Sequence, residues 1–450
     1  MFTKNRLLSL VLGVWSVSFT ANASNELNSL IEQALEADKN RMQYSAASLA
    51  IQEQGVASST LSDPKLKFGV GNLPVDSFSF DEDPMTNISI GIMQQFERGS
   101  SQSLRQKKSN QQAEGTQYQI KARELNVAKA MTNLWLELGY LQFVETNLKQ
   151  DLRLKKDLLG YIESNYALGN SDTQDLLQAE LAISKLEDNI QANTQNQQRI
   201  IHQLSEWLGD DWLQRTSKLN ASNHLDWPQV SQKLTRSTGL KHYPLLTSHP
   251  LVQMTEILIK TKQIDIEISE EAYAPQFGVE VMYAYRQADN MRGEPAPDML
   301  SAFVTVDIPL FTGNRQDRVS NAAQHQLGAS KLQRDLLLQQ LNSQLNTLIV
   351  EKQNFEQRIE RYDSLLLPRS KERVEAVTRG YESNTLPFEQ MIQANSDDLA
   401  MQIEYQRLNT DLNRTLSNIA YLIDAYGYRV TAPNYKNSSP QGDNSKESKQ

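Results

Sequence analysis

Five histidines, eleven methionines and no cysteine are the soft or nitrogen-donor side chains that this 450-residue sequence offers. His202, His224, His242, His249 and His325 have no spacing that gathers ligands on one helical face. His242 and His249 are near neighbours, but Pro244 and Pro250 place them in a loop, so no metal centre is expected. No HExxH, CxxC, Gly-Lys phosphate loop or GxSxG stands in a supporting context, and no catalytic residue, cofactor or enzymatic activity is predicted. Met85, Met93, Met282, Met291 and Met299 fall in or near segments of alternating polarity. Their thioethers could pass Cu(I) or Ag(I) along, yet methionine is also an ordinary gap filler.

The chain carries 54 acidic and 45 basic residues, a net charge of −9, which argues against a nucleic-acid partner. At the N-terminus, Lys4 and Arg6 precede an apolar run from Leu7 to Phe19 and a small-x-small site at Ala21-Asn22-Ala23. These features predict a signal peptide over 1–23 and a mature chain from Ser24, and hence export from the cytoplasm. No other stretch approaches the ~20 consecutive apolar residues of a membrane-spanning helix. Without cysteine, an oxidising compartment adds no disulfide.

One arrangement occurs twice. Tyr166, Gln178 and Ala179 correspond to Tyr381, Gln393 and Ala394, and Phe96-Glu97-Arg98-Gly99 to Phe311-Thr312-Gly313, all at an interval of 215 residues. The interval predicts a first repeat over 24–208, an irregular inter-repeat segment over 209–244 bearing Trp212 and Trp227, and a second repeat over 245–430. A polar, disordered tail follows over 431–450. In each repeat apolar residues recur at three- and four-residue steps. One stripe is Leu134, Leu138, Leu141, Leu148, Leu152, Leu159 and Ile162; the other is Leu341, Leu345, Leu348, Phe355, Ile359, Tyr362 and Leu366. They are coiled-coil seams on helices of about 67 residues, roughly 100 Å long, the second kinked at Pro368. Gly169 suits a helix C-terminus and Pro387 a first helical turn, so each long helix turns back as a hairpin.

Four segments alternate with a period of two: Leu66–Val70, Ile88–Ile92, Phe277–Tyr285 and Ala302–Leu310. Such alternation marks strands of a membrane β-barrel, apolar to lipid and polar to the lumen, but fits a half-buried sheet in a soluble protein as well. Four strands cannot close a barrel, whereas three chains would supply twelve, so a homotrimer with a shared barrel is expected. The connections Asn72–Thr86 and Gln287–Met299 would then carry Asp76, Asp81, Glu82, Asp83, Asp289, Glu294 and Asp298 at its mouth, as charge lining or as plain solvated loops.

Duplicated halves with two strands, a long helix and a returning helix each resemble the TolC-like outer-membrane efflux family. The stretches Gly71-Asn72-Leu73-Pro74-Val75-Asp76-Ser77-Phe78, Gln95-Phe96-Glu97-Arg98-Gly99 and Pro309-Leu310-Phe311-Thr312-Gly313-Asn314-Arg315-Gln316 are similar to its heavy-metal cation branch, that of CzcC and CusC. The resemblance implies a mostly α chain with long helical hairpins forming a periplasmic tunnel, plus four strands in a trimeric twelve-stranded barrel. It implies an exit duct for an inner-membrane pump of the resistance-nodulation-division type, reached through a periplasmic adaptor. It places adaptor contacts at Leu168, Gly169, Asn170, Ser171, Asn384, Thr385 and Leu386, and a tunnel constriction at Glu389, Gln390, Gln393 and Asp397. Gln390 and Gln393 depart from the family's acidic pattern. A multidrug or secretion channel, or a periplasmic coiled-coil scaffold, are the other readings.

Overall fold

The computed structural model describes residues 15–170, 172–214, 219–236, 239–383 and 385–433, with the backbone alone for 15–24. Residues 1–14 of the predicted leader and 434–450 of the predicted tail lie outside these; the expected cleavage site falls within the first helix. In chain order the elements are α1 (Trp15–Ala37), α2 (Lys39–Ser58), β1 (Lys65–Gly71), β2 (Asn87–Gln95), α3 (Ser101–Ala167), α4 (Thr173–Leu208), α5 (Asp210–Leu213), α6 (Pro228–Thr235), α7 (Tyr243–Leu246), α8 (Pro250–Glu271), β3 (Gln276–Tyr285), β4 (Met299–Asp307), α9 (Gln316–Arg361), a π-helical turn (Tyr362–Leu366), α10 (Leu367–Glu382) and α11 (Phe388–Leu422). The series α2-β1-β2-α3-α4 recurs as α8-β3-β4-(α9-π-α10)-α11. The same interval of 215 residues separates Ser101 from Gln316 and Ala167 from Glu382.

The second long helix does not break at Pro368. It runs from α9 into α10 through the π-helical turn Tyr362–Leu366, and Pro368 occupies the first turn of α10. A proline inside an α-helix lacks its N–H and collides with the carbonyl four residues earlier. One wide turn just ahead of it relieves both problems, so the expected kink appears as a π-bulge.

Two compact units result, and neither is one half of the repeat. One comprises Gln43–Gln119 and Leu251–Leu336; the other comprises Met1–Met42, Ile120–Pro250 and Leu337–Gln450. The first holds a four-stranded antiparallel sheet in the order β1-β2-β3-β4. Its register aligns Val70 with Ile88, Phe68 with Ile90 and Leu66 with Ile92; Ile90 with Tyr283 and Ile92 with Val281; and Val281 with Ala302 and Val279 with Val304. Most of the apolar side chains therefore share one face, while Met93, Met282, Met299, Phe303 and Ala284 lie on the other. β4 stops at Asp307, not at Leu310 as its alternation suggested, because Pro309 has no N–H to give the ladder.

In the second unit Leu27, Ile31 and Leu35 of α1, Met131, Trp135 and Leu138 of α3, and Ile200, Leu204 and Leu208 of α4 form a buried core closed by Trp212 and Leu225. The seam residues of α3 and of α9 with the π turn are all at least half-buried, with Leu138 and Leu345 fully so. Polar interruptions of the seam meet one another: Gln197 of α4 donates to Glu145 of α3 at 2.8 Å and to Asn193 at 2.7 Å. Buried Arg41 pairs with Glu124 at 2.8 Å and donates to the Thr431 carbonyl at 2.7 Å. The segment after α11 is thereby tied down through Thr431, where the sequence suggested that disorder begins. Within the inter-repeat segment, Ser222 and Asn223 cross α3 at Gly139. A Cβ there would lie 2.4 Å from the Ser222 carbonyl carbon. Gly139→Ala is expected to cost about 1–3 kcal/mol, as overpacking against backbone does. A lowered thermal midpoint with unchanged helix content by circular dichroism would show it.

Candidate functional site

The turn between α3 and α4 is built by its own sequence. Gly169 adopts φ +76°. Its N–H reaches the Tyr166 carbonyl at 3.0 Å, and the Asn170 N–H reaches that of Asn165 at 2.8 Å. This is a Schellman closure, which a side chain at Gly169 would strain. Asp172 then caps α4 in a reciprocal box with Asp175. Leu168 stands out at the end of this hairpin, 74% exposed.

The second turn is different. The N–H groups of Thr385 and Leu386 both reach the Gly380 carbonyl, at 2.8 and 3.1 Å. The Leu386 side chain lies on Gly380 itself, where a Cβ would meet its Cδ1 at 2.5 Å. Leu386 is thus half-buried and differs from Leu168, while Thr385 and Asn170 are exposed. Ser171 and Asn384 lie outside the described residues. Phe388, the first residue of α11, sits between Tyr381 of α10 and Tyr161 of α3, with ring centroids at 5.2 and 5.0 Å. That contact joins the end of one hairpin to the other.

The four predicted constriction residues follow on α11. Glu389, Gln390 and Gln393 are exposed and Asp397 is half-buried. Asp397 is not an open carboxylate: Arg373 of α10 pairs with it at 2.7 Å, and Gln393 donates to it at 2.7 Å. Glu389 lies in the first turn of α11, where the helix dipole favours its negative charge. Among the described residues it has no ion-pair partner, so of the four it alone carries uncompensated charge.

Sequence reasoning missed what holds α11. Ser396 donates to Asp151 of α3 at 2.5 Å, and Ser370 of α10 donates to Asp398 at 2.6 Å. Arg407 pairs with Glu137 of α3 at 3.0 Å and with Asp411 at 2.5 Å, and its guanidinium lies 4.5 Å from the Tyr140 ring centre. Burial works against the Arg407 charge, but these carboxylates hold its pKa above the ordinary value. Ser396–Asp151 and Arg407–Glu137 join residues more than 200 positions apart, and no local spacing announces them.

His242 and His249 stand, as the sequence suggested, in the non-helical stretches just before α7 and α8. Pro244 and Pro250 sit in the first turns of α7 and α8, because proline starts a helix as readily as it ends one. His249 is wholly buried, edge-on to Tyr421 at 5.2 Å. Burial, helped by the nearby Lys129 charge, lowers its pKa to about 4. Among the described residues no three His, Cys, Asp or Glu side chains group to hold a metal.

At the sheet, the apolar face is bare. Phe68 is 73% exposed, Leu300 75% and Val304 70%, and Ile88, Ile90, Ile92, Val279 and Val281 are exposed too. The opposite face carries Lys67, Ser89, Gly91, Glu280, Ser301 and Thr305, with Lys67 paired to Glu280 at 2.7 Å. An ordinary soluble sheet buries its apolar face on its own core; here no described residue covers that face. The loops beyond the strands are joined by Arg286, whose guanidinium donates to the Pro84 carbonyl at 3.1 Å and to that of Pro297 at 2.7 Å. Their carboxylates are partly spent on local turns. Asp83 accepts the Met85 N–H at 2.7 Å, and Asp298 accepts the Arg286 N–H at 3.1 Å and the Tyr283 hydroxyl.

A sheet with a bare apolar face and two helical hairpins define the architecture. The chain has the TolC-like fold. The outer membrane protein VceC of Vibrio cholerae superposes with a TM-score of 0.70 at 14% identity, covering 90% of this chain and 98% of that one. The outer membrane channel CmeC of Campylobacter jejuni gives 0.68 at 10%, covering 94% and 90%. CusC, which undergoes conformational changes accompanying folding and transmembrane channel formation, gives 0.67 at 13%, covering 89% and 92%. No family model and no curated protein matches the sequence. The TolC-like likeness thus holds at the level of fold, and CusC is no nearer than the others.

Two outcomes follow. Phe388→Ala removes the ring joining the hairpin ends and should cost about 1–3 kcal/mol; faster limited proteolysis near 168–172 and 383–387 would reveal it. His249 is neutral in the fold, whereas in the unfolded chain it takes a proton below its ordinary pKa of 6.5. Its contribution is full above that value and falls by roughly 2–3 kcal/mol as pH drops toward 4. The thermal midpoint should therefore decline over that range, and less steeply in His249→Asn.

Proposed function

We propose that this protein is the outer-membrane exit duct of a tripartite efflux system, a passive channel without enzymatic activity. The observation that carries the reading is the bare apolar face of the β1–β4 sheet. In water such a face would drive aggregation; against lipid it needs no cover. Aromatic side chains stand near both ends of the strands, Tyr283 and Tyr285 at one and Phe277, Phe96 and Phe311 at the other, where a membrane barrel carries its interfacial girdles. β1 and β4 are the sheet's two edges, and an edge in lipid leaves unpaired backbone groups at a cost of several kcal/mol each. Pairing β4 of one copy with β1 of the next, three times, closes a twelve-stranded barrel. The bare face speaks against the scaffold alternative.

In this reading the strands lie in the outer membrane and the hairpins on the periplasmic side. The exposed ends, Leu168, Gly169, Asn170 and Thr385, would meet a periplasmic adaptor, with an inner-membrane pump supplying the energy. Heavy-metal cations are the proposed cargo, on the strength of the loop motifs around Asn72, Phe96 and Phe311. Drugs are the second reading, because the fold is as close to VceC and CmeC as to CusC.

The purified protein should run as a trimer and open ion-conducting channels in planar bilayers; a monomer released from membranes by carbonate would refute the duct. Glu389→Gln removes three symmetry-related carboxylates and should lower the preference for cations over anions. Unchanged selectivity would remove Glu389 from the constriction.

A further inference from the structure

The polar face of the sheet holds three methionines that neither lipid contact nor core packing explains. Met93 of β2 lies opposite Glu280 of β3. Met282 of β3 lies opposite Gly91 on one side and Ser301 of β4 on the other. Met299 of β4 lies opposite Ala284. Each methionine is therefore one same-face step further along the sheet than the one before. The three form a diagonal across adjacent strands. Diagonal neighbours on one face lie about 7–8 Å apart, a gap that long side chains span. Met282 already leans across this line: a Cβ on Gly91 would touch its Cβ and Cγ at 3.4 Å. The diagonal climbs toward the loops, where Met85 and Met291 are exposed.

Methionine earns a place in a core by filling irregular gaps, but this face has no core. Met93 and Met282 are half-exposed and Met299 is exposed. The lipid-type face uses Ile, Val, Phe and Tyr, the usual strand formers, and its polar counterpart uses, besides the methionines, Gly, Ser, Thr, Gln and charged residues with Ala284 and Phe303. What three flexible thioethers add to such a surface is soft, neutral donation. Soft donors prefer Cu(I) and Ag(I) to the harder Mg(II) or Ca(II). The adjacent Lys67–Glu280 pair is neutral and Lys65, opposite Met93, is positive, so no net negative charge is there to hold a hard cation. We infer that Met93, Met282 and Met299 form a stepped thioether site for soft monovalent cations, Ag(I) or Cu(I). The inference rests on the channel reading in taking this face to be water-lined. Neutral thioethers also suit passage, since a conduit must release what it binds.

The test is Ag(I) binding by titration calorimetry on the full-length protein in detergent, with silver nitrate in chloride-free buffer. The triple variant Met93→Leu, Met282→Leu, Met299→Leu keeps side-chain volume and should weaken Ag(I) binding by about tenfold or more. The pair Met85→Leu, Met291→Leu should change it less. Equal Ag(I) binding by wild type and triple variant would overturn the site, as would an equal loss in the loop pair. Should the triple variant fail to fold, Met282→Leu alone, at the centre of the diagonal, carries the same comparison. The readout needs no conductance. A silent bilayer would sink the duct and leave this result standing, and Met-independent binding would sink the site and leave the duct.

Discussion

Side chains on a strand alternate with a period of two, so register alone decides which residues share a face. In this chain three successive antiparallel pairings bring Leu66, Phe68, Val70, Ile88, Ile90, Ile92, Val279, Val281, Tyr283, Leu300 and Val304 to one side. No part of the described chain covers them. A slip of one residue in any pairing would mix this face with Lys67, Glu280 and the glycines. The sheet therefore needs an apolar neighbour on one side and tolerates water on the other, and its two open edges call for further copies of the chain. The remainder of the architecture is read outward from that requirement.

The helices answer a different constraint. Helices of this length cannot be held by one compact core, and their seams are thin. Stability is spread along them in apolar pairs and in polar clamps such as Glu145–Gln197, Glu137–Arg407 and Asp151–Ser396. α11 is gripped by α3 on one side and by α10 on the other, through Asp397 and Asp398. These clamps add to the apolar side chains that α11 buries, among them Ile392, Leu399, Leu408 and Ile419. The π turn ahead of Pro368 accommodates the proline without ending the long second helix.

Much of this was legible in the residues. The interval of 215 foretold that α3 and the α9–α10 helix would begin and end in step, because Gly99, Gly169 and Pro387 punctuate the chain strongly. Alternation located the four strands, and only Pro309 shortened one of them. Less legible were features that depend on contacts between distant segments. Nothing near Asp397 announces Arg373, and nothing near Leu386 shows that it folds back on Gly380. Pro244 and Pro250 rightly marked a break at His242 and His249, but not that the helices α7 and α8 begin there. The methionines could be seen to gather near the strands, but their common face and diagonal order emerge only from the pairing of β2, β3 and β4.

The central claim is that one face of the sheet meets lipid and the other water. Because the chain has no cysteine, single replacements Val304→Cys and Ser301→Cys report on the two faces without background. In native outer membranes a charged, water-soluble maleimide should label Ser301→Cys and spare Val304→Cys, with both labelled after solubilisation and unfolding. Rapid labelling of Val304→Cys in the intact membrane, with Ser301→Cys protected, would contradict the account.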